Sequence, residues 1–180
     1  MNYLILSDIF GTTSALIDLA EQLNTQFCIV DPYNGEPQLI EREKEHYNSF
    51  KQQCGHDKYF EIVKEYFKTL SEPTTCLAFS AGASAAWRAQ SITENPYLEK
   101  LVGFYPSQIR NNLAINAKIN CEFIFPKHES HFDVTHVIQN LSLKRNVKCK
   151  MAQFDHGFMN KLSDNFNESA YAYFCDYLRQ

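Results

Sequence analysis

Residues 76–87 read CLAFSAGASAAW, and the order of residue types in that stretch decides the fold. An apolar, β-prone run (Cys76, Leu77, Ala78, Phe79) meets Ser80 and passes through Ala81, Gly82, Ala83 and Ser84 into an alanine-rich helix opening. A strand-to-helix turn with a serine at its apex is written this way. Such a nucleophile elbow needs small neighbours, because the serine takes a strained backbone conformation and strand and helix come close together. The pattern here is A-x-S-x-G, with Ala78 where the usual signature has its first glycine. Taken alone, Ser80 also fits a plain helix N-cap, so the rest of the chain has to choose.

On either side of the elbow, strand and helix patterns alternate. Short, nearly continuous apolar runs predict strands at 3–6, 27–30, 74–79, 101–105, 121–125 and 147–151. Ala15, Leu16, Leu19, Ala20 and Leu23 recur at helical spacing within 13–23, and the elbow helix runs to about 92, where Asn95-Pro96 breaks it. A helix over 132–143 carries Phe132, Val137, Ile138 and Leu141; a long final helix over 163–178 is read with Phe166, Ala170, Tyr173, Phe174 and Tyr177 on its buried side. The polar stretch 36–70 holds one or two helices through Phe60, Val63, Phe67 and Leu70, with His46 and His56 expected on the surface. Alternating units of this kind imply right-handed crossovers and a three-layer α/β/α sandwich around a mostly parallel sheet of about six strands.

Composition narrows the function classes. The 180 residues, 44% of them hydrophobic, suit one domain spanning 1–180. A net charge of −4 with scattered Lys and Arg gives no basic field for nucleic acid or an anionic membrane. The amino terminus, MNYLILSDIFG, has no basic leader and its apolar run is short for a signal or membrane helix, which leads to the expectation of a cytoplasmic protein with no membrane partner. The six cysteines form no C-x-x-C pair and read as reduced, mostly buried thiols, with Cys28, Cys76, Cys121 and Cys149 inside strand-like runs. His128, His131, Asp133 and His136 are metal-ligand types, but their spacing matches neither an HExxH helix nor a paired-ligand loop, so no metal or other cofactor is expected. No Gly-rich phosphate loop follows the first strand, which argues against a nucleotide-binding domain.

In open α/β sheets the chemistry sits at the carboxyl ends of the strands. After the first strand comes Ser7-Asp8-Ile9-Phe10-Gly11, after the third Ser80, after the fifth Lys127-His128-Glu129, and after the sixth Asp155-His156-Gly157-Phe158. Serine, acid and histidine thus follow three strands in the order expected of an α/β-hydrolase. The acid is read as Glu129, at the strand end; Asp133, four residues on, competes for the role and alternatively caps the following helix. Tyr105, Arg88 and Arg110 line a pocket or cover the surface; the residues do not decide.

The segments SDIFGTTSALIDLAEQL, CIVDPYNGE, AFSAGASAAW, LVGFYPSQIR, FIFPKHESHFD and DHGFMN, in that order, resemble the dienelactone hydrolases, a family with the α/β-hydrolase fold. The resemblance covers nearly the whole chain, with little from about 40 to 70. It implies a minimal α/β-hydrolase, beginning at the family's first parallel strand and without a large lid. It further implies Ser80 as nucleophile where the founding members have cysteine, His156 as base, and Glu129 where the family usually has aspartate. The backbone N–H groups of Ile9 and Ala81 correspond to the oxyanion hole. Asp8 stands where the cysteine members carry a glutamate, and Asp8, Phe10, Tyr105 and Phe158 fall around the pocket. Departures are Ala78 and Ala83 for elbow glycines, Pro126 for a glycine before the acid loop, and Asn160 where the founding enzymes place an arginine that binds the lactone carboxylate. The implied activity is hydrolysis of a small ester or thioester through an acyl-enzyme; the alternative is a catalytically silent relative that serves as a binding or scaffold module.

Overall fold

All six predicted strands are present in the computed structural model, which describes residues 2–40 and 42–179; the inner four are mostly buried, while the two at the sheet edges, Phe27–Val30 and Val147–Met151, are largely exposed. In chain order the elements are β1 (Asn2–Leu6), α1 (Ser14–Gln22), β2 (Phe27–Val30), α2 (Glu43–Gln53), α3 (Gly55–Thr69), β3 (Thr74–Phe79) and α4 (Ala81–Gln90). They continue with β4 (Leu98–Phe104), a 3₁₀ helix (Ser107–Asn112), β5 (Asn120–Phe125), α5 (Val134–Ser142), β6 (Val147–Met151) and α6 (Glu168–Leu178). The strands form one sheet in the order β2-β1-β3-β4-β5-β6, and every neighbouring pair is parallel.

The two-residue period of the strands sorts the core into two layers. Leu4, Leu6, Cys76, Ala78, Leu101, Phe123 and Phe125 pack with Phe50 of α2, Tyr59, Val63 and Phe67 of α3, the alanines of α4, and Val137 and Leu141 of α5. Tyr3, Ile5, Leu77, Phe79, Val102, Phe104 and Ile124 face the other way, onto Leu19 and Ala20 of α1 and Ala170, Phe174 and Leu178 of α6. The result is a three-layer α/β/α arrangement with α2 to α5 on one side and α1 and α6 on the other.

Four expectations need correction. His46 is only 3% exposed, its ring 4.5 Å from that of Phe10 and its Nε2 3.0 Å from the Ile40 carbonyl, and His56 is partly buried with its ring 5.0 Å from Phe50. The apolar partners that draw both histidines inward lie elsewhere in the chain. Cys28 is exposed because β2 is an edge strand. The last helix starts at Glu168, where the Asn167 side chain accepts from the Ala170 N–H, and not at 163. On that helix Tyr171, not Tyr173, faces inward; Tyr173 is 64% exposed. Among the described residues no helix is long and apolar enough to cross a membrane.

Candidate active site

The loops at the carboxyl ends of the strands are tied to one another by backbone bonds that prolong the sheet. Ser7 N–H donates to Val30 O (3.0 Å), Ser80 N–H to Phe104 O (2.9 Å), Tyr105 N–H to Ile124 O (2.7 Å) and Lys127 N–H to Phe154 O (2.8 Å). The loops that carry the candidate residues are therefore held in one frame, as a site that works by position requires.

At the elbow, Ser80 has φ 47° and ψ −108°, outside the ordinary regions for a residue with a Cβ. The neighbouring small residues permit this. A Cβ on Gly82 would stand 2.5 Å from the Ser7 carbonyl, so α4 can lie this close to β1 only with glycine there. Ala78, where the usual elbow has glycine, is fully buried and pairs in register with Leu6 and Gly103. Gly103 leaves the space: a Cβ there would come within 2.8 Å of the Phe123 ring and 3.2 Å of the Ala83 methyl. The methyl group that the elbow gains at Ala83 sits over a glycine on the adjacent strand.

Ser80 Oγ lies 3.0 Å from His156 Nε2, and His156 Nδ1 lies 2.6 Å from Glu129 Oε1. Glu129 closes the chain of bonds, while Asp133 caps α5 by accepting from the His136 N–H at 3.2 Å. His128, His131 and His136 are exposed, and among the described residues no group of three His, Cys, Asp or Glu side chains could hold a metal ion. The Glu129 side chain is 9% exposed and that of His156 27%, so the acid is shielded while the imidazole meets the cleft.

A residue that the sequence reading passed over completes this arrangement. Ser107, at the start of the 3₁₀ helix after β4, places its Oγ 3.1 Å from Glu129 Oε1 and 3.2 Å from His156 Nδ1. The next residue, Gln108, donates its N–H to Ser84 Oγ, and Ser84 Oγ in turn donates to the Ser80 carbonyl (both 3.1 Å). The loop after β4 is thus braced against both the acid and the elbow. A serine behind Tyr105-Pro106 has no motif to mark it.

The first loop supplies the remaining groups. Ala81 opens α4, where backbone N–H groups lack helical partners. Ile9 sits in a loop fixed by Tyr33 Oη, which donates to the Ile9 carbonyl at 2.6 Å, and by Tyr59 Oη, which donates to the Ser7 carbonyl at 2.9 Å. Asp8 accepts from Phe10 N–H (2.9 Å) and Asn160 Nδ2 (2.6 Å). Burial raises its pKa to about 6, against the pull of those two hydrogen bonds and of nearby His156. Phe10 packs on His46, and Tyr105 lies with its ring 4.8 Å from that of His156. Phe158, placed around the pocket by the resemblance, is fully buried in the α1/α6 layer against Phe104 and Phe174. Arg88 is held by Asp57 and the Phe60 ring, and Arg110 by the Ser107 carbonyl and the Phe132 ring.

A strap crosses near the site from α2. Glu43, in its first turn, accepts from Ser163 Oγ (3.1 Å) and Asp164 N–H (3.2 Å), in the loop that follows His156.

No protein-family model matches the chain. An uncharacterized protein of Bacillus subtilis strain 168, YczH, is 34% identical over 97 residues, or 53% of this chain; the match spans about half of that protein (46%). Among solved structures, one from Xanthomonas campestris assigned to the alpha/beta hydrolase superfamily superposes with a TM-score of 0.65 at 15% identity, covering 99% of this chain and 98% of that one. Dienelactone hydrolase from Anabaena variabilis gives 0.65 at 11% identity, covering 99% and 83%. Est1E from Butyrivibrio proteoclasticus with ferulic acid bound gives 0.63 at 11% identity, covering 99% and 86%. At these identities the likeness establishes the α/β-hydrolase fold.

Proposed function

We propose that this protein is a serine hydrolase that cleaves a small carboxylic ester or thioester through an acyl-enzyme intermediate. The observation that carries the reading is the continuous line of bonds from Ser80 Oγ through His156 to Glu129 Oε1, at 3.0 and 2.6 Å, with Ser80 held at φ 47°. A serine hydroxyl is too weakly acidic to attack a carbonyl unaided. His156 Nε2 takes its proton as Oγ bonds to the carbonyl carbon, and Glu129 at Nδ1 holds the tautomer and stabilises the imidazolium. The oxyanion then forms beside the Ile9 and Ala81 N–H groups, each worth about 3 kcal/mol if it behaves as such donors do elsewhere. The same imidazolium protonates the leaving alkoxide or thiolate. Water, deprotonated by His156, attacks the acyl-Ser80 ester and regenerates the hydroxyl.

The fold likeness to structures described as hydrolases, dienelactone hydrolase among them, supports the same reading. Asn160, bound to Asp8 where the founding lactone enzymes place a carboxylate-binding arginine, points away from dienelactone as substrate. Turnover of 4-nitrophenyl acetate by the wild-type chain and its loss in Ser80→Ala, with the circular dichroism spectrum unchanged, is the direct test. Equal rates in the two proteins would reject the reading.

A further inference from the structure

Next to Tyr105, whose ring packs on His156, lies a small cavity whose walls are mainly apolar, with Leu16 and Leu19 of α1, Phe79 and Met159, and whose polar members include Asp8, Tyr105 and Lys161. Three of these residues adjoin the reacting groups. Phe79 directly precedes Ser80, Asp8 directly precedes Ile9, and the Tyr105 ring packs on His156. During attack on Ser80, the carbonyl oxygen turns to the Ile9 and Ala81 amides and the leaving oxygen or sulfur must reach His156 Nε2, so the acyl substituent takes the remaining direction. The room open to the centre of a water-sized group in this cavity is about 20 Å³. One water needs roughly 10–15 Å³ of such room, so a methyl- or ethyl-sized group fits and a longer chain has to displace the walls or project out of the cavity.

Resting on the function proposed above, we infer that this cavity is the acyl pocket and that it confines the enzyme to short, uncharged acyl groups, acetyl and propionyl. Charge acts in the same direction as size. Asp8 is 8% exposed and already engaged by Phe10 N–H and Asn160, and in this wall it repels a carboxylate on the acyl chain. Lys161, the one cation among the lining residues, is turned to Asp18 at 3.7 Å. The Tyr105 hydroxyl is buried in the wall beside the Met159 backbone and supplies no positive charge for an anion.

The test is kcat/KM for the full chain on 4-nitrophenyl acetate, propionate, butyrate, hexanoate and octanoate, with a matching series of acetate esters of increasing alcohol size. A methylene in excess of what a tight apolar pocket accommodates costs about tenfold or more, so the acyl series should fall at least tenfold from propionate to hexanoate while the alcohol series varies little. Leu16→Ala and, as a second and more buried change, Leu19→Ala should each raise the hexanoate-to-acetate ratio at least tenfold. A flat acyl profile, a ratio unmoved in both variants, or selectivity that follows the alcohol would overturn the assignment of the pocket while leaving the hydrolase reading in place. Turnover of no ester in either series would instead remove the hydrolase reading and the pocket with it.

Discussion

The Ser107 hydroxyl lies 3.1 Å from Glu129 Oε1, the same carboxylate oxygen that meets His156 Nδ1 at 2.6 Å. One acceptor atom therefore holds both the imidazole and the loop after β4. A hydrogen bond to a charged group contributes about 1.5–3 kcal/mol, so Ser107 acts as a positioning residue whose loss is felt through Glu129. Ser107→Ala should lower kcat about tenfold on 4-nitrophenyl acetate with KM nearly constant, and Ser107→Thr should recover most of it. A purely structural role would leave kcat of the folded variant unchanged.

Glu129 and Asp133 separate cleanly by substitution. Glu129→Gln keeps the shape but removes the charge that holds the imidazole tautomer, and the expected fall in kcat is about 10⁴-fold, as for the comparable change in serine proteases. The Asp133 side chain caps α5 by accepting from the His136 N–H, so Asp133→Asn should leave kcat within about twofold and Asp133→Ala should cost about 1 kcal/mol in urea unfolding. Steady-state kinetics on the three variants, with unfolding curves alongside, decides between them.

Asp8 makes stability depend on pH in a definite direction. Its carboxyl titrates at about 6 in the fold, against an ordinary value of 3.8. A raised acid favours folding in its protonated form, so the contribution is complete below about pH 4 and is lost as pH rises through about 6. The loss amounts to about 3 kcal/mol by pH 7.5. Asp8→Asn has no such titration. Urea unfolding at pH 4 and pH 7.5 should show the variant gaining on the wild type by about that amount at the higher pH; an identical gap at both values would contradict the buried titration.

Gly103 makes room for the alanine-substituted elbow. Gly103→Ala places a methyl group within 2.8 Å of Phe123 and 3.2 Å of Ala83, and overpacking of this kind costs about 1–3 kcal/mol. The midpoint of urea unfolding should fall accordingly, and adding Ala83→Gly should restore only part of the loss because the Phe123 ring remains in the way.

Much of this molecule can be read from the chain because each strand is a short run of apolar, β-prone residues bounded by polar or turn residues. The runs FCIV, TTCLAF and VKCKM became β2, β3 and β6 with the boundaries that their apolar patterns set, and Ser80, Glu129 and His156, which lie along one line of hydrogen bonds, stand out in the sequence because each follows a strand end in chain order. Long-range packing was not legible. Nothing local announces that His46 will lie against Phe10, 36 residues earlier, that Glu43 will hold the loop at Ser163, or that β2 will be an edge and expose Cys28. Ser107 was missed for a related reason: a lone serine after a proline carries no periodicity, and its role exists only because β4 and β5 are neighbours. The loss of elbow glycines at 78 and 83 was visible, but its compensation at Gly103 depends on a register between two strands that sequence spacing does not give.

The central claim is that Ser80 is an activated nucleophile, and covalent capture tests it most directly. A fluorophosphonate incubated with the folded wild-type chain should add one adduct by intact mass, mapped by peptide sequencing to Ser80, at a rate at least a hundredfold (about 2.7 kcal/mol) above that of Glu129→Gln, and with none on Ser80→Ala. Folded protein that stays unlabelled, or an adduct elsewhere that persists in Ser80→Ala, would contradict it.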